Sequence, residues 1–63
     1  MRVLVYYRDS KFDPWTLSPR GDYKVIAETT SAYKISVNLF FTDWVLKKGQ
    51  YEMCEVIKET TNE

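Results

Sequence analysis

The side chains that could carry out chemistry in this chain are few, and they gather near its end. Cys54 is the single cysteine, it lies close to Glu52 and Glu55, and the chain contains no histidine. A nucleophilic thiolate needs a base and an electropositive setting, whereas the nearby carboxylates predict a raised pKa for Cys54. Glu52 and Glu55 lie at positions of opposite parity, so on a strand they point to opposite faces and cannot act as a pair. The sequence therefore predicts a structural thiol and no enzyme.

The residues that would hold a metal ion, a cofactor or a phosphate are also missing. The acidic residues are scattered and histidine is absent, so the chain has no zinc or calcium pattern. Gly21 and Gly49 are the only glycines, which excludes a glycine-rich phosphate loop. We therefore expect no cofactor and no metal. A single cysteine also excludes an intramolecular disulfide.

The composition is that of a small chain with an excess of aromatic side chains. Its 63 residues make one small domain, which buries only roughly 60% of its unfolded surface. The aromatics are two Trp, five Tyr and three Phe, and each can bury about 150–250 Å². A domain of this size cannot cover all of them. Some are therefore expected on the surface, where aromatic residues are frequent binding hot spots.

Charge and hydropathy narrow the functional classes further. The chain carries 9 lysines and arginines against 9 aspartates and glutamates, and a domain without net charge lacks the basic footprint of a typical nucleic-acid binder. The apolar run at residues 3–7 is too short for a signal-peptide core. No stretch approaches the roughly 20 apolar residues of a membrane span. Together with the free thiol, this predicts a cytoplasmic protein that does not enter the membrane.

The elements that must position these residues are predicted to be five short β-strands. The period-two alternation is clearest at residues 32–38, where Tyr33, Ile35 and Val37 alternate with polar residues. The other strands are predicted at 2–8, 23–29, 41–47 and 51–57. Tight turns are expected between the later strands because the intervening segments are short and polar.

These strands are expected to build a single domain over residues 1–57, followed by a polar C-terminal tail at 58–63. The side chains predicted to fill the core are Val3, Val5, Val25, Ile35, Trp44, Leu46 and Val56. Partial burial is predicted for Tyr23, Ile26 and Tyr33. A buried Trp44 would make the Trp44→Ala change cost about 3–5 kcal/mol.

Residues 9–22 are predicted to form a long loop after the first strand. Two prolines and a glycine fall within this stretch, and the residue before each proline is restricted to extended or turn geometry. The glycine of Arg20-Gly21-Asp22 is expected to supply a positive φ in a turn. A loop of this length in a small domain is usually functional.

Several motifs follow one another between residues 18 and 56. In chain order they are Tyr23-x-Val25-Ile26-x-Glu28-Thr29, Tyr33-x-Ile35, Trp44-Val45-x-Lys47 and Tyr51-Glu52. This series resembles that of the compact SH3-like barrels found in small phage and bacterial proteins. The resemblance implies a small five-stranded antiparallel barrel with a long first loop. The chain lacks the A-L-Y-D-Y opening, the tandem tryptophans and the acidic loop cluster of eukaryotic peptide-binding SH3 domains, so recognition of proline-rich peptides is not expected.

The functional hypothesis is a non-catalytic protein-binding module. The resemblance suggests a small phage-encoded protein that docks on a larger host or phage protein in the host cytoplasm and modulates it. The predicted contact residues are Phe12, Trp15, Arg20, Phe40 and Phe41. Two alternatives are that the surplus aromatics form a homodimer seam or simply cap the core. The second functional hypothesis is a nucleic-acid-binding barrel, whose aromatic and basic face would comprise Tyr6, Arg8, Arg20, Lys24, Lys34 and Lys47.

Trp15 is the centre of the predicted contact surface. The prolines restrict its loop, which would therefore lose little entropy on docking. The alternative is that Trp15 caps the open end of the barrel, with Phe12 and Leu17 pinning the loop. The two hypotheses differ in the effect of Trp15→Ala. A contact residue would lose partner binding at unchanged stability, whereas a cap would lose stability.

Overall fold

The computed structural model describes residues 1–57 of the chain, which form five strands and no helix. The strands are β1 (Arg2–Tyr7), β2 (Thr16–Glu28), β3 (Ala32–Ser36), β4 (Thr42–Leu46) and β5 (Glu52–Ile57). They pair antiparallel in one sheet with the order β4-β3-β2-β1-β5. The predicted all-β, five-stranded antiparallel architecture is confirmed. The predicted tail at 58–63 lies outside the described residues.

β2 is the long strand that joins the two halves of the sheet. Its first part pairs with β1, which pairs with β5 on its other side, and its last part pairs with β3. The loop predicted over residues 9–22 is therefore wrong from Thr16 onward. Thr16 pairs with Tyr7, so the chain returns to the sheet directly after the 8–15 connection.

A bulge in β2 explains why its proline and glycine indicated a loop. The register changes so that Val5 of β1 alone faces residues 18–21 of β2. Pro19 lies in this bulge, where its missing N–H breaks no ladder hydrogen bond. Gly21 has a φ of 92°, a left-handed conformation that glycine adopts without steric cost. The positive φ predicted at Gly21 is confirmed, although it occurs within a bulged strand rather than in a turn.

A buried pair of hydroxyls fastens this bulge to the core. The Ser18 and Tyr23 side chains are both buried, and their hydroxyl oxygens lie 2.7 Å apart. An unpaired buried hydroxyl costs about 1–3 kcal/mol in proteins, so the hydrogen bond between the two hydroxyls removes a penalty that the bulge would otherwise carry.

An ion pair lies at the end of the bulge. The Arg2 guanidinium donates to the Asp22 carboxylate and holds the pKa of that carboxyl below its usual value.

The core is a cluster of six side chains on one face of the sheet. Its members are Val3, Val5, Tyr23, Tyr33, Ile35 and Val45, and the partly buried side chains packed against them are Val25, Val37 and Cys54. The predicted burial of Val3, Val5 and Ile35 is confirmed. Tyr23 and Tyr33 are buried more completely than predicted, because both lie on the inner face between neighbouring strands.

The inward face predicted for β4 is wrong. Trp44 and Leu46 are 46% and 44% exposed, whereas Val45 is 2% exposed. Tyr33 pairs with Val45 and Lys34 pairs with Trp44, and directly opposed residues share a face of the sheet. Since Tyr33 points inward, Val45 follows it, and Trp44 lies with Lys34 on the outer face. Trp44→Ala is therefore expected to cost less than the about 3–5 kcal/mol of a buried tryptophan.

Ile26, for which partial burial was predicted, and Val56 of the predicted core are both exposed for local reasons. The β2–β3 register shifts between Val25 and Ala27, which places Ile26 in a bulge with its side chain about half exposed. Val56 lies opposite Val3, but β5 is at the edge of the sheet, so no further strand covers it. Val25 keeps an inner position and is partly buried.

The two edge strands approach each other at one corner. The Cys54 N–H donates to the Lys47 carbonyl at 3.1 Å, and Lys48 forms an isolated bridge with Met53. These contacts do not extend into a ladder between β4 and β5. The sheet formed by residues 1–57 is therefore not closed into a barrel. No helix in this part of the chain is long and apolar enough to span a membrane.

Candidate functional site

The predicted contact residues lie in three separate segments of the structure. Phe12 and Trp15 lie in the 8–15 connection, Arg20 in the β2 bulge, and Phe40 and Phe41 in the turn between β3 and β4. The Arg8 N–H donates to the Tyr51 carbonyl at 3.1 Å, so the 8–15 connection meets the connection that follows β4. The β3–β4 turn is at the opposite end of β4. The length of that strand, roughly 15 Å, therefore separates the two aromatic groups.

The turn at residues 39–41 presents three consecutive apolar side chains to solvent. Leu39, Phe40 and Phe41 are 95%, 86% and 66% exposed. Phe40 and Phe41 are among the contact residues predicted from the sequence, but Leu39 is not. The signal that could have found it is an apolar run directly after the alternating third strand, where a polar turn is the rule.

Hydrogen bonds fix the backbone of this 39–41 turn. The Asn38 side-chain oxygen accepts from the Phe40 N–H at 2.8 Å and from the Phe41 N–H at 3.0 Å. The Val37 N–H donates to the Phe41 carbonyl at 2.9 Å and closes the turn. Asparagine commonly stabilises turns in this way. The exposed side chains are thus carried on an ordered backbone, which reduces the entropy lost when a partner binds.

Trp15 is held by contacts within the chain at the other end of β4. The Arg8 guanidinium carbon lies 4.1 Å from the centroid of the Trp15 ring, within the range of a cation–π interaction. Arg8 Nε also donates to the Gln50 carbonyl at 2.7 Å. Trp15 is therefore part of a contact that joins the 8–15 connection to the connection after β4, which favours a capping role.

A Trp15→Ala change is expected to lower the free energy of unfolding by about 1–2 kcal/mol, because it removes the cation–π pair and the half-buried ring area. Thermal denaturation followed by circular dichroism measures the loss, at about 4–8 °C per kcal/mol for a domain of this size. Phe12→Ala is the control, since Phe12 is largely exposed, and it should leave the melting temperature nearly unchanged. An unchanged melting temperature for Trp15→Ala would contradict the capping role and favour a contact role.

Four of the five basic residues of the nucleic-acid hypothesis lie over aromatic rings; Lys24 is the exception. Arg8, Arg20, Lys34 and Lys47 lie over the rings of Trp15, Tyr23, Trp44 and Tyr33, respectively. Lys47 also forms an ion pair with Glu28. The Tyr6 hydroxyl donates to the Glu55 carboxylate at 3.1 Å, which raises the pKa of Tyr6. Phosphate binding at Lys47 would compete with its ion pair to Glu28.

A cleft of about 410 Å³ opens beside the 8–15 connection. It is lined by Tyr7, Arg8, Asp9, Asp13, Pro14 and Thr16. Three of these six residues are charged, although most of the surface that they turn towards the cleft is apolar. Within residues 1–57, the structure brings together no group of three side chains that could hold a metal ion.

Cys54 is partly buried against the core. Burial and, to a smaller extent, the negative charge of Glu52 raise the pKa of Cys54 to about 11. The raised pKa predicted from the nearby carboxylates is confirmed, although burial is the larger cause. A thiol in this state is mostly protonated at neutral pH and is a weak nucleophile.

Cys54 is expected to react with iodoacetamide at pH 8 at least about tenfold more slowly than free cysteine, because little of it is thiolate. The rate should rise with pH towards its pKa of about 11. Mass spectrometry of the alkylated protein over time measures the rate. The same protein unfolded in urea is the control and should react at the rate of an ordinary thiol. Equal rates for the folded and unfolded chains would contradict the burial of Cys54.

Comparison of the chain with protein-family models, with curated proteins and with solved structures finds no match. Function must therefore be inferred from the surface features themselves. Among them, the 39–41 turn combines the greatest exposure of apolar side chains with a hydrogen-bonded backbone.

Proposed function

We propose that the chain is a non-catalytic protein-binding module that docks on a larger protein through the 39–41 turn. The supporting observation is the exposure of three consecutive apolar side chains on an ordered turn. An aromatic side chain can bury about 150–250 Å², and each buried Å² contributes about 25 cal/mol. Burial of these side chains in an apolar pocket of a partner would therefore stabilise the complex, whereas in the free chain they remain exposed to water.

The geometry of the turn matches what binding hot spots require. Aromatic side chains are enriched in protein interfaces, and the few hot-spot residues lie where a partner can exclude water from them. Phe40 and Phe41 satisfy this description, and Leu39, the most exposed of the three, adds apolar area beside them. We therefore place the centre of the contact surface on the turn, while Trp15 and Arg20 have partners within the chain.

We also infer that the five strands follow the arrangement of a small SH3-like barrel, with edges that approach each other at one corner but do not pair into a closed barrel. The strand order leaves β4 and β5 as the edges. The Cys54–Lys47 hydrogen bond and the Lys48–Met53 bridge draw these edges together at the end of β4. The motif series over residues 18–56 supports the same architecture. By its resemblance to small phage proteins, it also suggests a host or phage protein as the partner, with docking in the host cytoplasm.

Affinity purification from a lysate of the source cells, with and without nuclease, tests this function. We expect a discrete protein that survives nuclease and is not retained by a Phe40→Ala/Phe41→Ala variant. The matched control is Phe12→Ala, which removes an equally exposed ring at the other end of β4 and should retain the protein. Submicromolar binding to DNA or RNA with a steep salt dependence would contradict the proposal and support the nucleic-acid hypothesis.

A further inference from the structure

Three basic side chains lie on the outer face of the sheet, on three neighbouring strands. Val25 points inward because it opposes the buried Ile35, so the next residue, Lys24, points outward. Arg2 of β1 pairs with Lys24 and shares its face. Lys34 of β3 lies on the outer face as well, opposite Trp44.

The register of the strands places Lys24 near the 39–41 turn. The last pair of β3 and β4 before the turn is Ser36 with Thr42. Lys24 lies one residue from the Val25–Ile35 pair, which sets it level with Ser36 on the neighbouring strand. Neighbouring strands are about 5 Å apart, so the backbone of Lys24 lies roughly 10 Å from Thr42, the residue that follows the turn.

Two of the three basic side chains have no carboxylate partner. Arg2 forms an ion pair with Asp22, whereas Lys34 lies over the ring of Trp44, which does not neutralise its charge. Within residues 1–57, the structure gives the Lys24 ammonium group no hydrogen bond, ion pair or ring contact. Like charges that are directly opposed on neighbouring strands are destabilising. The opposed Arg2 and Lys24 have one carboxylate between them, so an external anion beside Lys24 would relieve their repulsion.

We propose that Lys24 and Lys34 extend the contact surface of the 39–41 turn, and that the partner is a protein whose apolar pocket is bordered by aspartate and glutamate carboxylates. This inference rests on the proposed function and adds the chemistry of the partner. The apolar side chains of the turn enter the pocket, while the carboxylates beside it meet the two ammonium groups. A phosphate backbone would neutralise the lysines but leave the apolar side chains of the turn in water. A protein therefore fits the whole surface better than a nucleic acid does.

The two parts of this surface are expected to act on different rate constants. Charges at the rim of an interface mainly change the association rate constant and its dependence on salt. Most other contacts in an interface change the dissociation rate constant. The two lysines should therefore accelerate association with an acidic partner, and the two phenylalanines should slow its dissociation.

Surface plasmon resonance tests the inference, with the purified protein that requires Phe40 and Phe41 for retention as the immobilised probe. K24E/K34E is expected to lower the association rate constant at least about tenfold at about 0.05 M NaCl, because it replaces attraction by repulsion. The difference should shrink to less than about twofold at about 1 M NaCl, where the Debye length is about 3 Å. F40A/F41A should instead raise the dissociation rate constant at both salt concentrations. An association rate constant that K24E/K34E leaves unchanged would overturn the inference.

K11E/K48E is the matched control, because it makes the same change of net charge outside the outer face beside the turn. Lys11 lies in the 8–15 connection and Lys48 in the connection after β4. Equal losses for K11E/K48E and K24E/K34E would show that only net charge matters and would overturn the inference. If K24E/K34E melts well below the wild type, K24E is compared with K11E instead, since Lys24 has no side-chain contact for the substitution to break. Submicromolar binding of DNA or RNA that K24E/K34E abolishes would assign the lysines to nucleic acid and overturn the inference as well.

Zero-length cross-linking tests the chemistry of the partner directly. A carbodiimide takes up water as it joins a lysine amine to a carboxylate in an amide, and it does so only where the two groups are in contact. Mass spectrometry of the treated complex is expected to find Lys24 joined to an aspartate or glutamate of the partner protein, and no such link from Lys11. A complex that forms through Phe40 and Phe41 without a link from Lys24 would overturn this inference and leave the proposed function standing. If no protein requires Phe40 and Phe41 for retention, the proposed function fails and this inference fails with it.

Discussion

An Ile35→Ala change is expected to lower the free energy of unfolding by about 2–5 kcal/mol, which is most of the stability of a domain this small. Ile35 is 2% exposed and pairs with Val25 on one side and with Asp43 on the other. Because the flanking strands hold the backbone in place, the sheet cannot move inward to fill the cavity that the shorter side chain leaves. Urea denaturation followed by far-ultraviolet circular dichroism measures the loss.

The same chemical change at Ile26 is the matched control. Ile26 lies in the β2–β3 bulge and is 47% exposed, so Ile26→Ala is expected to cost less than about 1 kcal/mol. Equal losses at the two positions would contradict the assignment of the core. A spectrum dominated by helix would contradict the whole fold.

The Phe40→Ala/Phe41→Ala variant is expected to raise the dissociation constant for the protein partner by at least about 30-fold, which corresponds to about 2 kcal/mol. The loss arises because the two rings would no longer be transferred from water into the partner's pocket. Its melting temperature should stay within a few degrees of the wild-type value, since both rings are exposed in the free chain. Calorimetric titration and thermal denaturation of one preparation provide both quantities.

Phe12→Ala again supplies the control, because it makes the same chemical change at a similarly exposed phenylalanine. It is expected to alter the dissociation constant by less than about threefold, as for residues outside a hot spot. A larger effect at Phe12 than at Phe40 and Phe41 would place the contact surface on the 8–15 connection. A large fall in the melting temperature of the double variant would show that the turn contributes to folding.

The inward face of a strand is predictable from the sequence when its apolar and polar residues alternate regularly. The inward face of the strand beside it is not predictable in this way. Tyr33, Ile35 and Val37 alternate cleanly, and the inward face of β3 follows from that pattern alone. The inward face of β4 depends on the register across the β3–β4 turn, which pairs Tyr33 with Val45. The large apolar side chain of Trp44 favoured an inward position for Trp44 instead, because a tryptophan on a strand is usually placed in the core. Cross-strand register is a tertiary property, and so this error has no local signal.

The second error, the loop predicted from Thr16 onward, was caused by Pro19 and Gly21. Pro19 and Gly21 indicate a loop when they are considered as isolated residues. In the structure they occupy a bulge, in which a missing N–H and a positive φ are both accommodated. The buried Ser18 hydroxyl, bonded to Tyr23, anchors this bulge and had no sequence signature of its own.

The exposure of several aromatic rings was predictable from the sequence, but their positions were not. The excess of aromatics correctly indicated exposed rings, and Phe12, Phe40 and Phe41 are exposed. Their distribution over opposite ends of β4 depends on the strand order, which composition does not contain. Trp15 has no strand partner, as the sequence suggested, but a neighbouring arginine covers its ring.

Photo-cross-linking from position 40 tests most directly whether this chain is a protein-binding module that uses the 39–41 turn. A benzophenone derivative of phenylalanine replaces Phe40 in one preparation and Phe12 in another, and each is irradiated in a lysate of the source cells. Docking through the 39–41 turn predicts a discrete protein adduct from position 40 that survives nuclease, and little or no such adduct from position 12. An adduct formed only from position 12, or only nucleic-acid adducts from both, would contradict it.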